Sequence, residues 1–191
     1  MTATATAQAT RGRTTWTIDP THSTVEFAVR HLMITTVKGR FGAVSGTVVV
    51  DDGSPGAAAA DITIGVDSID TREPQRDAHL RSADFFDVER HPTLTFRSRG
   101  VRDVRDAGFT LVGDLTIRGV MREVALDVED GGRTKDPWGG QRAGYSATAT
   151  IKRSDFGLTW NQVLETGGLA VSDEVKITLD VELVQQAEAA A

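Results

Sequence analysis

Hydrophobic and polar residues alternate along most of the chain from Thr14 onward. The stretch "STVEFAVRH" places Val25, Phe27 and Val29 on one face, and the same period returns in "ITIGV", "FTLVGDLTI", "VMREVALDV" and "EVKITLDVEL". A period of two residues is typical of antiparallel strands with one face in the interior and one in water. Only Arg118 and Gly119 separate two of these segments, and a connection of that length predicts a tight hairpin.

One segment, "TREPQRDAHLRSADFF", departs from the alternation. Thr71 is a candidate N-cap, Pro74 suits a first helical turn, and Ala78, Leu80 and Arg81 favour a helix. Long antiparallel strands must also protect their edges, and closure into a barrel does so. We therefore predict an all-β fold, an extended eight-stranded antiparallel barrel with one short inserted helix.

The chain ends differ from this pattern. Residues 1–13 are rich in Ala and Thr and predict a disordered lead-in, residues 14–185 form the barrel domain, and residues 186–191 form a disordered tail. The lead-in lacks the apolar run of a secretion signal, and no stretch approaches the ~20 apolar residues of a membrane helix. We expect a cytoplasmic protein without an integral membrane segment.

The inward faces mix large and small residues. An eight-stranded barrel is just wide enough to be filled by side chains or to hold one elongated ligand. Both a packed barrel and a tunnel are compatible with this mixture. The residues concerned are Phe27, Phe41, Phe96, Phe109, Gly113, Ala147 and Ala149.

The composition of the chain excludes several classes of partner and of reactive site. The chain has 21 basic and 27 acidic residues, a formal net charge of −6, which argues against a nucleic-acid partner. It has no cysteine, so disulfides, thiolate nucleophiles and zinc–sulfur sites are excluded. Nucleotide-binding glycine motifs are absent from the sequence, and we expect no cofactor.

The four histidines do not form a recognisable catalytic or metal motif. His79 and His91 lie twelve residues apart in "HLRSADFFDVERHP", without the spacing of metal ligands. We interpret Asp84 and Asp87 as turn caps. His31 follows the inward row of its strand, so it either closes the barrel or meets the polar head of a ligand.

The stretch "IKRSDFGLTW" combines charge with large apolar groups. We predict that Arg153 pairs with Asp155 across a turn, and that Phe156 and Trp160 help to plug one end of the barrel.

Several of these blocks, in this order, resemble the YceI-like family of lipocalin-like polyisoprenoid-binding proteins. They are "WTIDPTHSTVEFAVRHLMITTVKGRFGAVSG", "DSIDT", "RDAHLRSADFFDVERHPTLTF", "GDLTIRGVMREVALDV", "IKRSDFGLTW" and "VSDEVKITLDVEL". The resemblance implies a lipocalin-like barrel around an apolar tunnel that holds a long isoprenoid chain, such as a polyprenyl diphosphate or a quinone tail. Some members of the family are homodimers and many are periplasmic.

The resulting hypothesis is a non-enzymatic protein that binds an isoprenoid lipid for transport, storage or sequestration, with homodimerisation as a further expectation. One of Phe85 and Phe86 is expected to form a lid. The candidate head-group residues are His31, His79 and Arg81. The candidate tunnel residues are Phe27, Val29, Phe41, Phe85, Phe86, Phe96, Phe109, Leu111 and Trp160.

Two alternatives remain open. One is an enzyme that acts on a similar lipid with His79 or His91 as acid or base. The other is a barrel that works only through contacts with partner proteins.

Overall fold

The computed structural model describes residues 12–51, 58–163 and 169–187. Within these ranges the chain forms eleven strands, one α-helix and two short 3₁₀ helices. The strands are β1 (Arg13–Ile18), β2 (Thr24–His31), β3 (Thr35–Phe41), β4 (Val44–Asp51), β5 (Ala59–Gly65), β6 (Ile69–Asp70), β7 (Thr93–Arg105), β8 (Gly108–Ile117), β9 (Val120–Lys135), β10 (Gln141–Lys152) and β11 (Val171–Gln185). The helix α1 is Pro74–Arg81, and the 3₁₀ helices are Val66–Ser68 and Arg153–Phe156.

The sheet closes on itself as an antiparallel barrel. In the described chain, the ring of hydrogen-bonded neighbours runs β1, β4, β5, β7, β8, β9, β10 and β11, and β11 returns to β1. The closing pairs join Trp16 to Gln185 and Ile18 to Leu183. Trp16 and Leu183 are almost fully buried at this seam. The predicted eight-stranded barrel with one short helix is confirmed.

The first three barrel strands are interrupted. A break at residues 19–23 separates β1 from β2, residues 42–43 separate β3 from β4, and a 3₁₀ turn separates β5 from β6. The hydroxyl of Ser68 stabilises the last break, because it donates to the Gly65 carbonyl at 2.5 Å and accepts from the Ala43 amide at 3.0 Å. The pieces β2, β3 and β6 extend the sheet beyond β11. The alternation of the sequence does not reveal these breaks.

The predicted hairpin between β8 and β9 is confirmed. Ile117 pairs with Val120, and Arg118 and Gly119 have φ angles of 52° and 74°. Two left-handed residues match the right-handed twist of the flanking strands, and glycine adopts this conformation at low cost.

The N-cap of the helix lies two residues after the predicted one. Glu73 is the N-cap, and its carboxylate accepts from the amides of Gln75 and Arg76. The prediction of Thr71 as the cap is wrong, because Thr71 is buried and its hydroxyl donates to Asp77 instead. The intervening Arg72 has a φ of 63° and reverses the chain before the helix starts.

The predicted disordered ends fall largely outside the described residues. The described chain begins at residue 12 and ends at residue 187. β1 starts at Arg13, inside the predicted lead-in, and the Gln186 amide donates to the Thr15 carbonyl at 2.8 Å. Where the chain is described, its one α-helix is too short and too polar to cross a bilayer.

Arg142 joins four parts of the chain at the start of β10. Its guanidinium donates to Asp19 at 2.7 Å, to Glu182 at 2.8 Å and to Asp136 at 3.0 Å. Hydrogen bonds from Thr21, His22 and Arg142 lower the pKa of Asp19, and bonds from Arg142 and the Gly140 amide lower that of Asp136. These carboxylates stabilise the fold above their ordinary pKa of 3.8. Their contribution is lost as the pH falls from there through the lowered values.

We expect Arg142→Met to lower the melting temperature at pH 7, because three carboxylates lose their shared partner. The difference in melting temperature between the variant and the wild type should become smaller below pH 3.8, where these carboxylates begin to take up protons. Thermal unfolding followed by circular dichroism at pH 7 and pH 3 checks this. An equal difference in melting temperature at both pH values would contradict the stabilising role of these ion pairs.

Candidate functional site

A large cavity runs through the inside of the barrel, with a volume of about 1030 Å³. The sequence left a packed barrel and a tunnel as alternatives, and the structure shows the open interior. Its walls come from the inward rows of the barrel strands and from α1, and they are predominantly apolar. Typical cavities for small ligands range from about 300 to 1,000 Å³, so this one is at the upper limit.

Two phenylalanine rings lie against the wall rather than across the cavity. A Cβ at Gly39 would come within 2.4 Å of the Phe27 ring, and a Cβ at Gly113 within 2.5 Å of the Phe96 ring. Each ring therefore occupies the space that a side chain on the neighbouring strand would fill. This arrangement, together with small inward residues such as Ala147 and Ala149, keeps the centre open.

Aromatic rings cluster at one end of the barrel, which we call the helix end because α1 and the β8–β9 turn lie there. The His79 ring meets Phe85 edge-on at 5.1 Å between centroids and Trp160 edge-on at 4.7 Å. Phe86 contacts Phe41 at 5.9 Å. The segment after α1 thus places aromatic side chains at this end. The lid role of Phe85 or Phe86 stays a prediction.

The loop between α1 and β7 is held by backbone hydrogen bonds. The Asp87 amide donates to the Ser82 carbonyl at 2.9 Å, and the His91 amide to the Asp87 carbonyl at 2.8 Å. The carboxylate of Asp84 contacts Nε2 of His79 at 2.9 Å. The Asp84 carboxylate therefore forms a hydrogen bond that orients the His79 ring, in place of the predicted turn cap.

A chain of hydrogen bonds positions Arg76 at the helix end. Asp77 accepts from the amide and hydroxyl of Thr71 at 2.9 and 2.5 Å, and both side chains are buried. Thr71 in turn accepts from Nε of Arg76 at 2.7 Å through its hydroxyl and from Nη2 at 2.8 Å through its carbonyl. Among the described residues, no carboxylate lies within 4.0 Å of the Arg76 guanidinium, which lines the cavity.

Arg153 is a second cation at the same end, and its side chain is buried, with 6 % exposure. It donates to the carbonyls of Ser172, Leu158 and Trp160 at 2.7–2.9 Å. The predicted pair with Asp155 is wrong, because the guanidinium is directed to these carbonyls of more distant segments. Burial lowers the pKa of Arg153, and the nearby charge of Asp173 partly opposes that shift.

The structure brings most of the predicted site residues together. All nine candidate tunnel residues line the cavity, and so do His31 and His79. Arg81 is not among the lining residues of the described chain; it donates to the carbonyls of Asp67 at 2.9 Å and Ile69 at 2.7 Å. Arg81 therefore ties α1 to the segment before it.

The sequence-based prediction missed Arg76. The helical period would have identified it, because residues three and four apart share one face. Arg76, His79 and Leu80 have this spacing and all line the cavity, whereas Arg81 falls outside it.

The opposite end of the barrel, near the β7–β8 hairpin, is also charged. Arg105, Asp106, Asp130 and Arg133 line the cavity there. Arg105 forms an ion pair with Asp127, and the Arg133 guanidinium lies 5.4 Å from the centroid of the Trp16 ring. Both basic and acidic side chains line this end, so it does not favour a ligand group of one particular charge.

One group of side chains has the spacing of a metal site. Asp19, His22 and Glu182 place their ligand atoms within 4.8 Å of one another. Arg142 already donates to both carboxylates of this group, so a cation would have to displace a guanidinium. We assign the group to the stabilising network of Arg142 rather than to metal binding.

Comparison with known proteins matches residues 16–183 to the YceI-like domain. A UPF0312 protein of Pseudomonas aeruginosa is 38 % identical over 165 residues, which cover 86 % of this chain and 83 % of the relative. The crystal structure of BcnA from Burkholderia cenocepacia has a TM-score of 0.75 at 24 % identity and covers 86 % of this chain and 98 % of BcnA. A polyisoprenoid-binding domain from Saccharophagus degradans has a TM-score of 0.61 at 17 % identity, covering 90 % and 98 %.

We expect Thr71→Val to lower the free energy of unfolding by about 2 kcal/mol, because it leaves the buried Asp77 carboxylate without its hydroxyl donor. Urea denaturation measures the effect. Thr71→Ser is the matched control and should retain most of the stability, since it keeps the hydroxyl. Equal losses in the two variants would contradict this role of the hydroxyl, because serine keeps the hydroxyl that valine lacks.

Proposed function

This chain belongs to the YceI-like family, and we propose that it binds a long-chain isoprenoid lipid along the barrel axis without catalysing a reaction on it. The cavity carries this proposal, because it is long, apolar and about 1030 Å³ in volume. The structural neighbour described as a polyisoprenoid-binding domain supports it further. Transport, storage and sequestration are all compatible with such binding.

The volume suits a chain of tens of carbon atoms. At roughly 30 Å³ for a group the size of a water molecule, a cavity of about 1030 Å³ holds on the order of 30 such groups. Each buried methylene contributes about 0.8 kcal/mol. A tail of this length needs few polar contacts to bind, so the aliphatic and aromatic walls are sufficient.

We place the polar head of the lipid at the helix end. Arg76 is held towards the cavity by Thr71, and the charge of Arg153 is buried nearby among neutral carbonyls. His31 lines the same end. Two cations with no contacting carboxylate among the described residues favour an anionic head, such as a phosphate or diphosphate, over a neutral quinone.

The histidines have structural roles in this account. The His79 ring packs against Phe85 and Trp160 while its Nε2 contacts Asp84. His91 lies beside the β8–β9 turn, where a Cβ at Gly119 would be 3.1 Å from its ring. These contacts account for both histidines without assigning them acid–base chemistry. The cytoplasmic location and the homodimer stay predictions.

Organic extraction of the purified protein followed by mass spectrometry tests the proposal. We expect a long-chain isoprenoid in the extract. Only short-chain or straight-chain lipids would contradict the isoprenoid assignment, and turnover of an added polyprenyl diphosphate would contradict the non-enzymatic one.

We predict that Ala149→Phe reduces the amount of extracted lipid severalfold or shortens its chain, because Ala149 lines the cavity. Thr148→Phe is the matched control. Thr148 is the preceding residue on β10 and is exposed on the outer face, so its lipid content should equal that of the wild type. Equal content in both variants would show that the lipid binds elsewhere.

We predict that Arg76→Gln weakens binding of a polyprenyl monophosphate about tenfold, the loss expected for a charge-assisted hydrogen bond. Binding of the corresponding polyprenyl alcohol should change little. Fluorescence titration with both lipids measures this, with Arg90→Gln as the control, because Arg90 is exposed and does not line the cavity. An equal loss for both lipids would contradict a head-group role.

A further inference from the structure

The turn between β2 and β3 carries large apolar residues in a backbone conformation that disfavours them. Leu32 and Met33 have φ angles of 52° and 59°, and the Ile34 amide closes the turn on the His31 carbonyl at 3.1 Å. Such turns favour Asn and Gly, because side chains are strained in the left-handed region. The stability of the isolated barrel does not explain why large apolar residues occupy this turn.

The same three side chains point into water. Leu32, Met33 and Ile34 are 36 %, 62 % and 73 % exposed. The described chain exposes eight large hydrophobic side chains, and two others, Val163 and Leu169, lie alongside this turn. Val163 and Leu169 form a β-bridge with each other, and the Leu32 amide donates to the adjacent Ala170 carbonyl at 2.8 Å. Five of the eight thus form one patch, which we call the apolar tip.

The apolar tip adjoins the cavity at the helix end. His31 precedes the turn, and Gln162 and Ala170 lie beside Val163 and Leu169; all three line the cavity. A lipid chain that enters or leaves at this end passes next to the tip.

The strands behind the tip are basic, although the whole chain has a formal net charge of −6. No acidic residue occurs from Phe27 to Val50, whereas Arg30, Lys38 and Arg40 all lie in β2 and β3. Arg40 is paired with Asp70 at 3.1 Å. Arg30 and Lys38 are exposed, and among the described residues neither has a carboxylate within 4.0 Å. Arg30 donates to the Met33 carbonyl at 2.7 Å, which keeps its charge at the base of the turn.

Three acids of the described chain lie on strands or segments next to this surface. Asp173 accepts from the amide and hydroxyl of Ser154 at 3.0 and 2.8 Å. Glu174 lies opposite Lys152, and Glu26 opposite Arg40. Among the described residues, Arg30 and Lys38 are therefore exposed basic side chains on the strands next to the tip.

We propose that the apolar tip docks the barrel onto an anionic lipid bilayer, with Met33 and Ile34 inserted below the head groups and Arg30 and Lys38 facing the lipid phosphates. Apolar side chains flanked by basic ones are the combination that binds bilayer interfaces. Insertion removes the apolar residues from water, which accounts for their presence in a strained turn. The docked barrel holds the helix end of its cavity against the membrane.

Vesicle flotation tests docking with two preparations, pure phosphatidylcholine and phosphatidylcholine containing phosphatidylglycerol. We expect the wild type to float with the anionic vesicles. The double substitution Met33→Ser and Ile34→Ser should reduce this binding roughly tenfold or more, and Lys38→Gln about fivefold.

Trp138→Ser is the matched control, because Trp138 is 87 % exposed in the turn between β9 and β10, away from the helix end. It should bind vesicles like the wild type. Loss of binding in this variant with retention in the tip variant would overturn the assignment, as would a wild type that binds neither preparation.

Lipid content measured by extraction on the same samples separates this inference from the proposed function. A wild type that contains isoprenoid but ignores vesicles refutes docking alone. A wild type that docks but contains no isoprenoid refutes the proposed ligand alone. Circular dichroism confirms that each variant is folded.

Discussion

Pairing between β1 and β11 is the constraint on which the rest of the structure depends. It joins the first and last strands of the barrel, so that every strand of the ring has two neighbours. Closure of eight strands sets the width of the interior, and that width exceeds what the inward side chains fill. The seam is correspondingly well packed around Trp16 and Leu183. The cavity is thus a consequence of closure combined with the choice of inward residues.

The inward residues leave the interior open in a specific way. Phe27 and Phe96 fill the space beside glycines on neighbouring strands, and alanines on β10 add small residues to the cavity wall. Wall atoms beside such a space lack part of the dispersion contacts that a packed core provides. An apolar ligand supplies these contacts, and its binding energy adds to the stability of the folded state. On this account the lipid is the missing part of the hydrophobic core, and the polar groups only orient it.

The sequence predicted the barrel, the β8–β9 hairpin and the apolar wall, because two-residue alternation records directly which side chains face inward. It did not predict the interruptions in the first three strands, which depend on contacts such as that of Ser68 with Ala43, 25 residues apart. It included Arg81 with His31 and His79 among the head-group candidates, although the helical phase directs Arg81 away from the face of α1 that lines the cavity. The acceptors of Arg153 come from segments up to 19 residues away, and only the fold brings those carbonyls together.

Native mass spectrometry of the protein as purified shows whether the barrel encloses one long apolar chain. The account predicts a species heavier than the polypeptide by the mass of one isoprenoid lipid, and the extra mass should disappear on denaturation. A polypeptide that shows only its own mass, and still does after incubation with a polyprenyl phosphate, would contradict the account.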